Sequence, residues 1–124
     1  DLLKGKDLAL LSVEAEEPVL NAIDKMRRHN IDQLPVFEGG KPVGTITDAR
    51  LFDAILEDAD VRTQKARVVM GAALPVLKVD ATLDEVAAKL GNGSPAVLVQ
   101  MPVTPSGVEA FGILTKQDII GKLR

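Results

Sequence analysis

Gly112-Ile113-Leu114-Thr115-Lys116-Gln117-Asp118-Ile119 repeats the pattern of an earlier stretch of the same chain, Gly44-Thr45-Ile46-Thr47-Asp48-Ala49-Arg50-Leu51. Each reads as a Gly, two strand-type residues, a Thr that can cap a helix, two variable residues, and then the position where the copies part, Asp118 against Arg50. The pattern places a strand-to-helix junction at Thr47 and another at Thr115, with helices over Asp48 to Glu57 and Lys116 to Leu123.

The duplication extends outward from this stretch. Val19, Ala22, Ile23 and Met26 recur as Leu83, Val86, Ala87 and Leu90, 64 residues on, and both sets form the i, i+3, i+4, i+7 stripe of a helix with one buried face. Upstream, Leu8 to Val13 and Ala72 to Leu77 are extended apolar segments at the same offset. Downstream, Leu34-Pro35-Val36-Phe37 and Ala96-Val97-Leu98-Val99 read as short buried strands, and Pro35 suggests an edge position. Glu38-Gly39-Gly40-Lys41-Pro42 is a tight hairpin signal, whereas Met101 to Glu109 forms a looser turn. Gly91-Asn92-Gly93-Ser94 follows a helix and precedes a strand, the reverse of a phosphate-binding loop, and reads as a helix stop. The expected fold class is mixed α+β: two β-α-β-β-α repeats, residues 1–58 and 71–124, packed about a pseudo-twofold axis and joined by a partly helical linker over 59–70. One repeat of this size buries too little apolar surface to stand alone.

Composition removes several function classes. Without cysteine the chain has no disulfide, thiol nucleophile or thiolate metal site, and its single His argues against a metal centre, as a cytoplasmic protein would allow. A net charge of −3 argues against a nucleic-acid surface, and Arg27-Arg28-His29 reads as the solvated, dipole-complementing end of a helix. No apolar run approaches the roughly 20 residues that span a bilayer. None of the three serines lies in a nucleophile-elbow pattern, so the chain is not expected to be an enzyme. It opens on Asp1, and we expect a fragment of a longer protein.

What remains is binding chemistry. In Thr115-x-x-Asp118 a carboxylate lies one turn inside a helix, beside a hydroxyl and the first unpaired amides, where it can accept both hydroxyls of a ribose. The same spacing is a capping box, which only stabilises a helix start. The duplicated context favours the ligand reading. Arg50 has no acceptor, so the first copy is left empty, filled by Arg50 itself, or adapted to an anion; Asp48 has the wrong spacing to substitute. Ile31-Asp32-Gln33 puts exposed polar residues beside Pro35, and with three Phe and no Tyr or Trp, a base would be sandwiched by aliphatic residues such as Ile31 and Ile113.

These junctions, helix stripes and buried strands resemble a tandem pair of CBS domains, the Bateman module, over nearly the whole chain from about Leu8 to Leu123. The resemblance implies a regulatory module that binds AMP, ADP, ATP or S-adenosylmethionine between the repeats, with Thr115 and Asp118 on the ribose and Ile113 close to the ligand. Arg50 departs from the family pattern. Ile31-Asp32-Gln33-Leu34-Pro35-Val36 is further similar to a segment of the regulatory domain of cystathionine β-synthase-type enzymes. That similarity implies that Ile31 and Gln33 face S-adenosylmethionine, that Ala9 lines the floor, and that a pyridoxal-phosphate catalytic domain lies outside this fragment. Lys116 is the only basic residue inside the intact motif, which favours S-adenosylmethionine or AMP over ATP. Homodimerisation is expected through the terminal helices, among Leu51, Phe52, Ile55, Ile119, Ile120 and Leu123. The alternative is a ligand-free pair that acts as an interaction module.

Overall fold

A computed structural model describes residues 10–101 and 111–122. Two compact units emerge: Leu11–Ala73, and the residues from Leu74 onward together with Leu10.

In the first unit, β1 (Val13–Glu14), α1 (Val19–His29), β2 (Gln33–Glu38), β3 (Lys41–Thr47) and α2 (Asp48–Glu57) follow the expected order. The sheet runs β1-β2-β3, parallel between β1 and β2 and antiparallel between β2 and β3. The first strand is shorter and later than the predicted Leu8 to Val13, of which Leu8 and Ala9 lie outside the described residues. Pro35 also departs from expectation, because β2 is the central strand. Its ring is tolerated because β1 pairs only with Val36 and Phe37, while Thr45 opposite directs both its backbone groups to Gly71. Pro35 therefore faces a gap in the ladder inside a three-stranded sheet.

The periodicity of α1 is used as read. Val19, Ala22 and Met26 are buried against Val13, Leu34, Val36 and Ile46, and Ile23 and Ile31 pack at the margin. The helix closes at Asn30, in the left-handed region at φ 52°, and the Ile31 amide donates to the Met26 carbonyl at 3.0 Å. Arg27, Arg28 and His29 fill its last turn, as the dipole favours. Gly39 and Gly40, at φ 59° and 80°, make the two-residue hairpin between the paired Glu38 and Lys41.

The segment after α2 is partly helical, with a 3-10 turn over Ala59–Thr63 and the short α3 (Ala66–Val69). It packs into the first unit. Val61, Ala66 and Val69 join its core, and backbone bonds run from Val19 N to Gln64 O, Ala66 N to Glu17 O and Arg67 N to Ala15 O.

The second unit repeats the order with β4 (Val76–Lys78), α4 (Leu83–Gly91), β5 (Ala96–Gln100), β6 (Phe111–Thr115) and α5 (Lys116–Lys122). Its sheet is β4-β5-β6, parallel then antiparallel. Val86 and Leu90 of α4 bury against Val97, Val99 and Leu114. Ala87, counted in the predicted stripe, is exposed on this short helix. Asn92 follows the last residue of α4 and Gly93 takes φ 91°, the expected stop. The chain from Pro102 to Ala110, most of the predicted loose turn, lies outside the described residues, as does Leu123.

Candidate functional site

Antiparallel pairing decides which side chains share a sheet face. In β5 and β6, Val97, Val99 and Leu114 point to the core under α4, so Ala96, Leu98, Ile113 and Thr115 lie on the opposite face. Sheet register thus brings Ile113 and Thr115 to one surface, two residues apart, with α5 starting at its end. The Thr115 hydroxyl accepts from the Asp118 amide at 3.3 Å, and Asp118 Oδ2 accepts from the Thr115 amide at 2.9 Å and the Thr115 hydroxyl at 3.1 Å. This is the reciprocal geometry of a capping box, the alternative that the spacing left open. Thr82 and Glu85 form a second capping box at the start of α4, which has no counterpart in α1, where Pro18 stands at the cap.

The first repeat has the same junction with different chemistry. Thr47 caps α2 by accepting from the Arg50 amide at 3.2 Å, and Asp48 accepts from the next amide, Ala49, at 2.8 Å. The Arg50 side chain turns to the end of α3: Nε donates to the Val69 carbonyl at 3.0 Å and Nη2 lies 3.4 Å from the Met70 carbonyl. The Arg50 side chain is thus engaged by main-chain carbonyls of the segment just before Gly71. Its stem lies so close to Gly71 that an added Cβ there would stand 3.0 Å from Arg50 Cδ.

Ile31, Asp32 and Gln33 follow α1 in sequence but differ in setting. Ile31 is half-buried against the first core, Asp32 is exposed, and its carbonyl accepts from the Asp48 amide at 3.0 Å, tying this turn to the start of α2. Gln33 and Pro35 share a sheet face with Thr47 and Thr45, opposite the core residues Leu34, Val36 and Ile46. On that face Gln33 Oε1 and the Thr45 hydroxyl are buried and have no hydrogen-bond partner. Thr45 is the residue that sequence reasoning passed over. The available signal was the mismatch of Thr45 with Ile113 inside the duplicated stretch, hidden because both suit a strand. Ala9 lies outside the described residues.

Charges concentrate elsewhere in the first unit. Glu16 accepts from Lys65 at 2.6 Å and Arg67 at 2.7 Å, and Arg67 also reaches Glu38. The hydrogen bond from Arg67, then that from Lys65, lowers the Glu16 pKa to about 2. The Glu14 amide and then Asn21 hold Glu17 below its ordinary value. An open groove of about 320 Å³ on the helical side is floored by Leu20, Ile23 and Ile55 and rimmed by Asp24, Arg27 and Arg62. It includes none of the predicted ligand residues. Of the predicted dimer residues, Phe52, Ile55 and Ile120 are exposed, joined by Leu56, whereas Leu51 and Ile119 pack against the two cores. Among the described residues, no helix is long and apolar enough to cross a membrane, and no group of three metal-ligating side chains occurs.

No curated protein matches the chain. Solved structures do. A CBS-domain-containing protein from Agrobacterium tumefaciens is 21% identical with a TM-score of 0.76, covering 100% of this chain and 97% of its own. A conserved protein from Geobacillus kaustophilus is 25% identical with a TM-score of 0.73, covering 92% of this chain and 86% of its own. Hypoxic Response Protein I, solved with two coordinated zinc ions, is 23% identical with a TM-score of 0.75, covering 95% and 94%. The family model of the CBS domain matches residues 6–57. The chain therefore has the mixed α+β fold of a CBS-domain pair, and its first repeat carries the sequence match to the CBS domain.

Proposed function

We propose that this chain is a regulatory, non-catalytic module that senses an adenosyl compound and controls an attached cytoplasmic enzyme of the cystathionine β-synthase type. The ligand, S-adenosylmethionine, AMP, ADP or ATP, is held through its ribose by Thr115 and Asp118, with Ile113, Ile31, Asp32, Gln33 and Ala9 completing the contacts. The observation that carries this reading is the Asp118 carboxylate, fixed by Thr115 at the start of α5 beside a face that carries Ile113. Fixed acceptors lose little entropy on binding, and charge-assisted bonds to hydroxyls are among the stronger polar contacts. Regulation follows from differential affinity: a ligand that prefers one packing of the repeats shifts the population toward it. The exposed apolar residues Phe52, Ile55, Leu56 and Ile120 supply a homodimer face.

The test is a thermal-shift panel of AMP, ADP, ATP and S-adenosylmethionine. A ligand at a hundredfold excess over its Kd adds about 2.7 kcal/mol, or about 10 °C at this size. A midpoint that no adenosyl compound moves overturns the reading. The second reading, a ligand-free interaction module, draws on the engagement of Arg50 with Val69 and on the apolar groove over Leu20, Ile23 and Ile55. It predicts concentration-dependent association with no response to nucleotides.

A further inference from the structure

The turn between α4 and β5 carries the chain's single Asn-Gly pair, Asn92-Gly93. Asn92 closes α4 at φ −87° and ψ 18°, and Gly93 follows at φ 91°, a value that selects glycine. Both residues are exposed, and apart from its chain neighbours a Cβ added to Gly93 would meet nothing within 4 Å. Their amides are loosely held: Asn92 donates to the Lys89 carbonyl and Gly93 to the Leu90 carbonyl, each at 3.3 Å, longer than the usual distance for such bonds. The Asn92 carboxamide makes no hydrogen bond with any described residue.

The other two asparagines of the chain are sheltered. Asn21 lies inside α1, where its side-chain amide donates to Glu17 Oε1 at 2.9 Å, and the residue after it, Ala22, is buried. Asn30 ends the same helix, but the residue after it is the β-branched Ile31, which packs against the first core and donates its amide to the Met26 carbonyl at 3.0 Å. The main-chain nitrogen that follows each of these asparagines is covered. At Gly93 it has no side chain over it and faces solvent.

We propose that Asn92 is a site of spontaneous covalent modification, deamidation through a cyclic imide, with water as the only co-reactant. The Gly93 nitrogen gives up its proton to solvent and attacks Asn92 Cγ. The new bond closes a succinimide ring, and Nδ2 takes a proton from water and leaves as ammonia. Water then opens the ring at either carbonyl: attack at Cγ leaves an aspartate, and attack at the main-chain carbon leaves an isoaspartate, with the chain running through the side chain. To reach Cγ, the nitrogen needs Asn92 to rotate about ψ away from 18°, and the fraying end of α4, with nothing packed on Gly93, permits it. Both products place a carboxylate at the C-terminal end of α4, where the helix dipole disfavours negative charge, and the isoaspartate also lengthens the connection between the core residue Leu90 and β5. The second unit thus carries a chemical clock that runs independently of any bound ligand.

The experiment incubates the full chain at neutral and mildly alkaline pH, with and without urea, digests samples with trypsin and follows each asparagine peptide by tandem mass spectrometry. Isoaspartate is counted on the same peptides with an isoaspartyl methyltransferase. In the native chain Asn92 is expected to convert at least about tenfold faster than Asn21 or Asn30, with isoaspartate among its products and a rate that rises with pH. Urea should accelerate Asn21 and Asn30 far more than Asn92, because the fold shelters only those two. Gly93→Ala should slow conversion at Asn92 by about tenfold; should that variant fail to fold at its positive φ, the wild-type comparisons decide alone. An Asn92 that converts no faster than the other two, that converts only in urea, or that yields no isoaspartate overturns the proposal.

Discussion

The Nε of Arg50 lies 3.0 Å from the Val69 carbonyl, across nineteen residues of sequence, and ties the start of α2 to the end of α3. The same segment continues into Gly71, whose amide and carbonyl bond to Thr45 at 2.7 and 3.1 Å. Arg50 thereby does structural work at the position where the second repeat carries its ribose candidate. Arg50→Ala is expected to destabilise the first unit by about 1 kcal/mol, below the usual range for a charged hydrogen bond because the side chain is exposed. Amide exchange at Gly71 should quicken with it. Unchanged protection there would show that the strand pairing alone holds the segment.

Gly44 is demanded by the same close approach. A Cβ at this position would stand 2.7 Å from Met70 Cγ and 2.9 Å from the Gly71 carbonyl oxygen. Gly44→Ala should cost about 1–3 kcal/mol, the range for overpacking. Adding Met70→Ala should recover only part, since the methionine can retreat and the backbone oxygen cannot. Denaturant unfolding of the single and double variants reads the difference.

Capping and binding separate by mutation. Thr82→Ala removes a cap that has no proposed ligand role, and Asp118→Ala removes half of one that does. Each should cost about 1 kcal/mol. The midpoint shift from an adenosyl ligand should survive Thr82→Ala and vanish in Asp118→Ala. Equal retention of the shift in both would leave Asp118 a cap alone.

Acid should expose the charge cluster around Glu16. Its pKa is lowered from 4.5 to about 2, so between those values the unfolded chain binds the extra proton and stability rises with pH. The contribution is fully present above pH 4.5 and is lost as pH falls toward 2. Glu16→Gln should therefore melt below wild type at pH 7, and the two curves should converge below about pH 3. A gap that stayed constant to pH 2.5 would assign the effect to packing.

Much of this architecture could be read from residue pattern, and the failures have local causes. The stripe Val19, Ala22, Met26 announced α1 because a helix with one buried face leaves a 3.6-residue signature, and Gly39-Gly40 announced the hairpin because two adjacent positive φ angles select glycine. Pro35 misled because a missing amide proton reveals a gap in the ladder but not which strand fails to fill it. Arg50 was read as lacking acceptors, correctly, yet its partners are main-chain carbonyls at Val69 and Met70, which leave no trace in side-chain identity. The spacing of Thr115 and Asp118 suits two readings at once, because a capping box and a ribose acceptor call for the same residues, and the structure realises the capping geometry. Thr45 was invisible for a different reason: a threonine in a strand is ordinary until its hydroxyl is found with nothing to bind.

The segment between the helices of the two repeats has a practical meaning for anyone dividing this chain. Val61, Ala66 and Val69 are core residues of the first unit, and Lys65 and Arg67 neutralise Glu16 beside α1. Cutting after Glu57 would strip that unit of a wall, leave the Gly44 cleft bare of Met70 and expose the edge of β3 at Thr45, an invitation to self-association. Inserted tags, protease sites or fluorescent reporters belong after Ala73, where the first unit ends.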